Sequence, residues 1–137
     1  MNLENLYSKT VIELSKHPKN QGEIKNADAV ADVGSPICGD TLTAYLKIAK
    51  KKDKSGKEVE YIKDIKFQTM GCAVALASSS LTSELVKGKS LEQAKNFKED
   101  DLFKALGKIP PQKHHCPPMA VEALHKAIDE YKSRNKN

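Results

Sequence analysis

Apolar residues near the start of the chain recur at helical spacing. Over residues 3–16 they share one face of a helix: Leu3, Leu6, Tyr7, Val11 and Leu14. This spacing predicts an amphipathic helix, for which Asn2 is available as the N-cap. The polar sequence HPKNQG follows at residues 17–22 and ends the pattern.

The next part of the chain alternates between apolar and polar positions. Residues 27–33 predict a short strand, and residues 34–40 hold too much glycine and proline for a regular element, so we interpret them as a shaped loop. Every second residue is then apolar, first at Leu42, Ala44, Leu46 and Ile48 and later at Val59, Tyr61, Ile65 and Phe67. This alternation predicts antiparallel strands over residues 41–49 and 59–69, joined by a lysine-rich hairpin tip at residues 53–56.

The second half of the chain changes to a helical period. Small and apolar residues over 73–87 predict a closely packed helix with Gly88 as its C-terminal cap. Ser90 and Gln93 form a capping box for a short helix, and a further helix runs from about residue 100 to Gly107. After an extended spacer at residues 109–111, a last helix begins around residues 117–118 and has one apolar face: Ala120, Leu124, Ala127, Ile128 and Tyr131.

Early strands followed by late helices are typical of an α+β domain, with helices packed on one sheet. The chain of 137 residues has room for one such domain, which we assign to residues 1–137. No apolar run approaches the roughly 18 residues of a membrane span, and Glu4 stands where a secretory signal carries basic residues. We therefore expect a cytoplasmic protein without a membrane partner.

The positive net charge raises the question whether the protein binds nucleic acid. The chain has 23 basic and 18 acidic side chains, a net charge of +5, but Arg134 is its single arginine and it has no tryptophan. Proteins that recognise nucleic acids rely on bidentate contacts from arginine and on aromatic side chains that stack on the bases. We therefore expect no nucleic acid partner and interpret the lysine-rich tip as a solvated surface, with a polyanion-binding module as the alternative.

The three cysteines are the more informative feature. Cys38, Cys72 and Cys116 lie 34 and 44 residues apart, and an odd number at this spacing is a poor disulfide framework that favours reduced thiols. Each cysteine stands at the boundary of a predicted element. Cys72 and Cys116 stand at helix starts, where the partial positive charge favours the thiolate. We therefore expect the thiolate to be stabilised at both positions.

The neighbours of these cysteines are residue types that bind metals. Asp40 stands two positions after Cys38, and His115 directly precedes Cys116. Three thiolates with one carboxylate or imidazole make a four-ligand shell for zinc or for a [2Fe-2S] cluster. A harder fourth ligand also suits a cluster that has to leave again.

Simpler explanations exist for each of these residues. The cysteines can be small buried side chains, Asp40 a turn residue, and His114 and His115 ordinary loop histidines. A run of serines resembles a nucleophile cluster, but it lies within a predicted helix and has no adjacent oxyanion motif. We therefore interpret the following as packing residues: Ser78, Ser79 and Ser80.

Three motifs carry a resemblance to a known family. They read GSPICGD at residues 34–40, GCAVALASSS at 71–80 and PPQKHHC at 110–116. Their order and spacing resemble the iron-sulfur cluster assembly scaffolds of the IscU and NifU N-terminal domain type, over about residues 3–133. The resemblance implies an IscU/SufE-like α+β fold, a three-stranded antiparallel sheet with helices packed on one face.

The resemblance also implies a scaffold and not an enzyme. In that family a transient [2Fe-2S] cluster is built from iron and desulfurase-derived sulfur and handed to acceptor apo-proteins or cluster carriers, and zinc can occupy the site when no cluster is present. The cysteine ligands carried over by position are Cys38, Cys72 and Cys116. Asp40 matches the aspartate associated with cluster lability, and His115 matches a histidine that can ligate metal, so the fourth ligand stays open between these two.

Partners are implied by the same motifs. Cys116 matches the cysteine that accepts persulfide sulfur from a cysteine desulfurase, and Lys113 matches a nearby lysine of the site. A chaperone pair is a further implied partner, although the usual Leu-Pro-Pro-Val-Lys segment differs here at two positions. The matching residues are Ile109, Pro110, Pro111, Gln112 and Lys113.

Three hypotheses follow for the function. The first is an iron-sulfur cluster scaffold, and the second is a zinc-containing sulfur acceptor or sulfurtransferase partner of a cysteine desulfurase, in which Cys116 carries the persulfide. That zinc-dependent relative usually has an insertion before its third motif, whereas 43 residues separate Cys72 from Cys116 here, which favours the scaffold. The third hypothesis is a Lys-rich polyanion-binding module.

Overall fold

The computed structural model describes residues 7–34, 39–114 and 116–134. In chain order it contains α1 (Lys9–Lys16), β1 (Ala29–Gly34), β2 (Thr41–Lys52), β3 (Glu58–Met70), α2 (Ala73–Val86), α3 (Leu91–Lys95), α4 (Glu99–Leu106) and α5 (Cys116–Arg134), with a 3-10 turn at Pro111–Lys113. Among the described residues, no helix combines the length and the apolar character needed to cross a membrane.

The strands form one antiparallel sheet in the order β1-β2-β3. Alternate residues of β2, namely Leu42, Ala44 and Leu46, are fully buried, as the period of two in the sequence predicts. Helices α2 and α5 lie on this inner face, and α1 packs on α2. The predicted α+β architecture, with helices packed on one face of a three-stranded antiparallel sheet, is confirmed.

Serines of α2 anchor the segment that follows α1. Residues 20–22 lie along the outer edge of β3, where two backbone hydrogen bonds of 2.9 Å join them to Phe67. Ser80 Oγ accepts from the backbone N–H of Lys19 at 3.0 Å, and Ser83 Oγ accepts from the side-chain amide of Asn20 at 2.9 Å. The serine run is fully buried, which confirms its interpretation as packing.

Helix α1 begins later than the sequence pattern predicts. Ser8 and not Asn2 is the N-cap, since Ser8 Oγ accepts from the backbone N–H of Val11 at 3.1 Å. The Ser8 hydroxyl also donates to the carbonyl of Leu106, which ties α1 to the end of α4. Tyr7 therefore precedes the helix, and the part of the prediction that falls on residues 3–6 lies outside the described residues.

The spacer before the last helix is also different from the prediction. Pro110 is extended, but the chain then closes the 3-10 turn, in which the N–H of Lys113 donates to the carbonyl of Pro110 at 2.9 Å. Helix α5 begins at Cys116, so the two prolines that follow occupy its first turn. Proline is tolerated there because N–H groups of a first turn have no partner within the helix.

Replacing Ser8 by alanine tests the start of α1. The change removes the N-cap acceptor and the link to Leu106, so we expect the free energy of unfolding to fall by about 1–2 kcal/mol in urea denaturation. Ser78→Ala is the control, because the Ser78 hydroxyl is buried and has no hydrogen-bond partner among the described residues. Its loss should leave stability unchanged or raise it, and equal losses in the two variants would contradict the assignment.

Candidate metal centre

The pairing of β2 with β3 brings two predicted site residues together. Thr41, the first residue of β2, lies opposite Met70, the last residue of β3. Asp40 directly precedes the first of these residues, and Cys72 follows the second by two positions. As a result, Cys72 Sγ lies 3.8 Å from Asp40 Oδ2.

Cys116 joins this pair from a distant part of the chain. It is the first residue of α5, which packs across β1 and β2. Its Sγ lies 3.5 Å from Asp40 Oδ2 and 3.7 Å from Cys72 Sγ. One ligand atom from each of the three residues lies within 4.8 Å of the others. Two thiols and one carboxylate at these distances fit the donor set of a zinc ion or of an iron-sulfur cluster.

Gly71 makes room for the carboxylate of this group. A Cβ atom built on Gly71 would stand 2.7 Å from Asp40 Cγ and 3.1 Å from the Cβ of Ala75. Both distances are shorter than ordinary contacts, so a side chain at position 71 would displace the Asp40 carboxylate. The sequence pattern presents Gly71 only as a loop residue, since nothing local indicates that a carboxylate from residue 40 packs against it.

The Cys72 sulfur holds the negative charge of the thiol pair. A hydrogen bond from the Cys116 thiol is the main reason that the pKa of Cys72 is lowered to about 5, against the opposing effect of partial burial. The backbone amides of Ala75 and Val74, at the start of α2, and the charge of Lys113 lower it further. This outcome agrees with the sequence prediction that a helix start favours the thiolate at Cys72.

The same prediction is wrong for Cys116. Its hydrogen bond to Cys72, its burial and the nearby negative charges of Cys72 and Asp40 all raise the pKa of the Cys116 thiol. The residues that follow it, Pro117 and Pro118, have no backbone N–H, so the first turn of α5 offers the sulfur no donors from these positions. Cys116 therefore keeps its proton at neutral pH in the absence of a cation.

Lys113 is the basic residue that the structure brings to the centre. The negative charge of Cys72 is the largest cause of its raised pKa, with smaller contributions from Cys116 and Asp40. Its ammonium group thus partly offsets the negative charge of the thiolate and the carboxylate. This placement is consistent with the accessory role that the sequence resemblance implies.

Of the two histidines in the third motif, the structure describes His114. His115 lies outside the described residues, as does Cys38. The ring of His114 packs against Phe103 with 5.3 Å between centroids, and its Nε2 lies 3.4 Å from the carbonyl of Ile109. His114 therefore supports the turn before α5 and is not part of the donor cluster. The sequence does not point to Phe103, since an apolar residue of α4 carries no chemical signature.

Alkylation of the metal-free protein tests the charge assignment. Iodoacetamide should modify Cys72 before Cys116, at a rate that rises as the pH passes about 5 and then levels off, because the thiolate forms above its pKa. Cys116 should stay unmodified at neutral pH. Mass spectrometry of timed reactions between about pH 4 and pH 8 measures both sites, and a Cys72 rate that still climbs at the upper end would contradict the assignment.

Gly71→Ala tests the fit of Asp40 in the centre. The added methyl group should displace the carboxylate and weaken zinc binding by roughly tenfold or more, as Asp40→Ala should also do. Gly34→Ala is a matched control at the same end of the sheet, where a Cβ meets its nearest neighbour, Thr41, at an ordinary 3.6 Å. Competition with a chromogenic chelator measures the affinities, and equal zinc affinity of the two glycine variants would disprove the fit.

Comparison with known proteins places the chain among iron-sulfur cluster assembly proteins in sequence. It is 44% identical over 130 residues to the iron-sulfur cluster assembly scaffold protein IscU 1 of Archaeoglobus fulgidus, which covers 95% of this chain and 79% of that protein. It is 38% identical over 125 residues to the IscU scaffold protein of Aquifex aeolicus, with 91% and 75% covered. The nitrogen fixation protein NifU of Azotobacter chroococcum is 40% identical over 126 residues, which are 92% of this chain and 38% of that protein.

Solved structures and a family model agree with these matches. The N-terminal part of a NifU-like protein from Brucella abortus has the same fold, with a TM-score of 0.70 at 23% identity over 96% of this chain and 98% of that chain. A protein of Fervidobacterium islandicum proposed as a cluster assembly scaffold of the SUF system has a TM-score of 0.64 at 26% identity over 93% and 99%. The model of the NifU-like N terminal domain matches residues 6–137, and the chain belongs to this family.

Proposed function

We propose that this chain is a scaffold on which an iron-sulfur cluster is assembled before it passes to acceptor proteins. The observation that carries the proposal is the convergence of Asp40, Cys72 and Cys116, whose ligand atoms lie within 4.8 Å of one another. Relatives at 38–44% identity are named as scaffolds of this kind. In this role the iron and sulfide are cargo, and the protein holds and releases them.

The proposed ligands are three thiolates and one weaker donor. Cys72 and Cys116 supply two sulfurs from the described part of the centre, and Cys38 is the third candidate, two residues before Asp40 in the sequence. Either Asp40 or His115 serves as the fourth ligand. Sulfur ligands hold iron firmly, whereas an oxygen or nitrogen ligand exchanges more readily, and this mixture suits a cluster, proposed here as [2Fe-2S], that has to leave.

Loading the centre requires proton release. Cys72 is already a thiolate near neutral pH, but the raised pKa of Cys116 means that its proton has to be displaced by the incoming cation. Lys113 stays protonated and limits the net negative charge of the centre. Cations other than iron that favour thiolate and carboxylate donors, zinc above all, compete for the same ligands.

Cys116 is the proposed acceptor of sulfur from a cysteine desulfurase. Its thiolate attacks the outer sulfur of the persulfide on the desulfurase, the sulfur-sulfur bond breaks, and the desulfurase cysteine leaves as a thiolate. Only the thiolate is the nucleophile, so the proton of Cys116 has to leave as the new bond forms, and the desulfurase thiolate that is released can accept it. The buried position of Cys116 means that the desulfurase must also open access to this sulfur.

A chaperone that binds residues 109–113 would have to loosen the native packing of this segment. Ile109 is only 6% exposed, and Pro110 is buried beside it. The neighbouring carbonyl of Lys108 accepts a hydrogen bond from the backbone N–H of Ser8 at 2.8 Å, which fastens the segment to the start of α1. Use of this segment by a chaperone is therefore coupled to the stability of the N-terminal cap.

Anaerobic reconstitution tests the scaffold function. Wild-type protein supplied with iron and sulfide should gain thiolate-to-iron absorption, with iron and labile sulfide in equal amounts. Single alanine variants of Cys38, Cys72 and Cys116 should lose this absorption, because each removes a ligand. Ser79→Ala, which changes a residue outside the donor cluster, is the matched control and should load normally. Cysteine variants that load as well as the wild type would overturn the proposal.

The same experiment separates the scaffold from the zinc-bound sulfur acceptor. With a cysteine desulfurase and cysteine as the sulfur source, the alternative requires persulfide on Cys116, retained zinc and no cluster. His115→Ala and Asp40→Ala identify the fourth ligand, because the variant that removes it should alter the rate of cluster loss. His114→Ala is the control for the first of these, since His114 packs against Phe103 instead of joining the donors.

A further inference from the structure

The far end of the β2-β3 hairpin projects beyond the rest of the sheet. Strand β1 pairs with residues 41–46 of β2, so from residue 47 onward the hairpin has two strands only. We call residues 47–63 the lysine arm. Its tip lies at the opposite end of β3 from the candidate metal centre, and the 13 residues of that strand span about 40 Å.

Most of the net charge of the protein lies in this arm. Its 17 residues include seven lysines and three carboxylates, which gives +4, against +5 for the whole chain. Residues 50–58 are all exposed. A surface that only needs solubility is better served by interspersed charges of both signs than by such a concentration.

The carboxylates of the arm are engaged within the protein. Asp53 accepts hydrogen bonds from the hydroxyl of Ser55 and from backbone amides of the turn, including that of Lys57 at 3.0 Å. Glu58 lies 3.5 Å from the ammonium of Lys50, and Glu60 accepts a hydrogen bond from the hydroxyl of Tyr131. Glu58 and Glu60 thus have partners of their own. Asp53 is the one carboxylate of residues 51–57, where it interacts with Lys57 and leaves the four lysines there in excess.

Five lysines of the arm have no such partner. Within residues 7–34, 39–114 and 116–134, no carboxylate oxygen lies within 4.0 Å of the ammonium groups of Lys51, Lys52, Lys54, Lys57 and Lys63. Their positive field is therefore directed to the solvent. An external anion can approach them without first breaking an ion pair.

One face of the arm is wholly free of carboxylates. The register places Lys51 opposite Val59 and Ala49 opposite Tyr61, so these residues share a face, and the Lys51 ammonium lies 4.7 Å from the centre of the Tyr61 ring. The glutamates lie on the other face, where Glu58 and Glu60 stand opposite lysines. Lys51 thus lies on a face of the strands without a glutamate, and on the other face Glu58 pairs with Lys50 and leaves Lys52 without an ion pair among the described residues.

We propose that the lysine arm is a docking site for a protein partner with an acidic surface. Lysines act as point charges that steer and hold such a surface without reading a sequence. The arm contains no arginine, and its single aromatic ring, Tyr61, is already in contact with Lys51, so the forks and stacking surfaces of a nucleic acid site are missing. Among the described residues the large exposed apolar side chains are Val30, Met70 and Leu85, and none of them is in the arm to insert into a membrane.

The lysine arm lies far from the candidate metal centre. A partner held at the tip leaves the metal centre, at the other end of the hairpin, open. The arm therefore serves to raise the local concentration of a partner without covering the thiols. This inference concerns a separate surface and does not rest on the scaffold function.

Charge reversal with a matched control tests the docking site. The variant K51E/K54E/K57E changes the arm, and K9E/K16E/K104E changes exposed lysines of α1 and α4. Both variants have a net charge of −1, since each replacement subtracts two charges from +5. Circular dichroism verifies that both are folded. Any difference in binding between them then reports the location of the charges and not their number.

The probe is poly-L-glutamate, with binding followed by fluorescence anisotropy at about 50 mM and 300 mM salt. We expect the arm variant to lose at least about tenfold in affinity and the control variant less than about threefold, with wild-type binding weakened at the higher salt. Amide signals that shift on binding should cluster at residues 49–63. Equal losses in both variants, or shifts spread over the whole protein, would overturn the proposal.

Two further probes distinguish the class of partner. A thymidine oligonucleotide and phosphatidylglycerol vesicles are compared with poly-L-glutamate at equal charge concentration. Weaker, arm-independent binding of both is the result expected for an acidic protein partner. Tighter, arm-dependent binding of the oligonucleotide or of the vesicles would reject it in favour of nucleic acid or of an anionic membrane.

Discussion

The register between β2 and β3 is the constraint on which the candidate centre depends. A shift by one residue would turn Leu42, Ala44 and Leu46 from the core to the solvent, because successive side chains of a strand alternate between faces. The hydrophobic core therefore fixes the register, and the register fixes the position of Asp40 relative to Cys72. In this way residues that never touch a metal determine the distance between two of its candidate ligands. The helix that carries Cys116 packs on the same sheet, so the third donor is set by the same core.

The centre collects negative charge where water is scarce. Asp40 is only 6% exposed and Cys116 is fully buried, and both lie beside the Cys72 thiolate. Like charges at this separation cannot all be present, which is why the proton of Cys116 is retained. Lys113 supplies partial compensation from the surface. A bound cation would supply the rest, so the same concentration of negative charge that is unfavourable in the empty centre would favour a cation.

Much of this structure follows from local sequence pattern. Alternation at Leu42 to Leu46 and the capping box of Ser90 correctly predict a strand and a helix, because both depend on neighbours in the chain. The start of α1 could not be placed in the same way, since Ser8 is selected as its cap partly by contacts with residues 106 and 108. The role of Gly71 is equally non-local, because the carboxylate that needs the space beside it belongs to Asp40, just before β2. The motifs point to Asp40, Cys72 and Cys116 as candidate donors, but only the packed fold shows how close these three lie.

The two helix starts at the centre are chemically unequal, and this inequality orders the events of binding. At α2 the amides of Val74 and Ala75 favour negative charge on Cys72, whereas the first turn of α5 carries prolines directly after Cys116. A cation that enters the centre therefore meets an existing anion at Cys72. It must then displace a proton before it can bind the Cys116 sulfur. The free energy of binding to Cys116 therefore depends on pH near neutrality, whereas that of binding to the Cys72 thiolate does not. With such a ligand set, a metal ion would bind the Cys72 thiolate before it displaces the proton of Cys116, and return of that proton would favour its release.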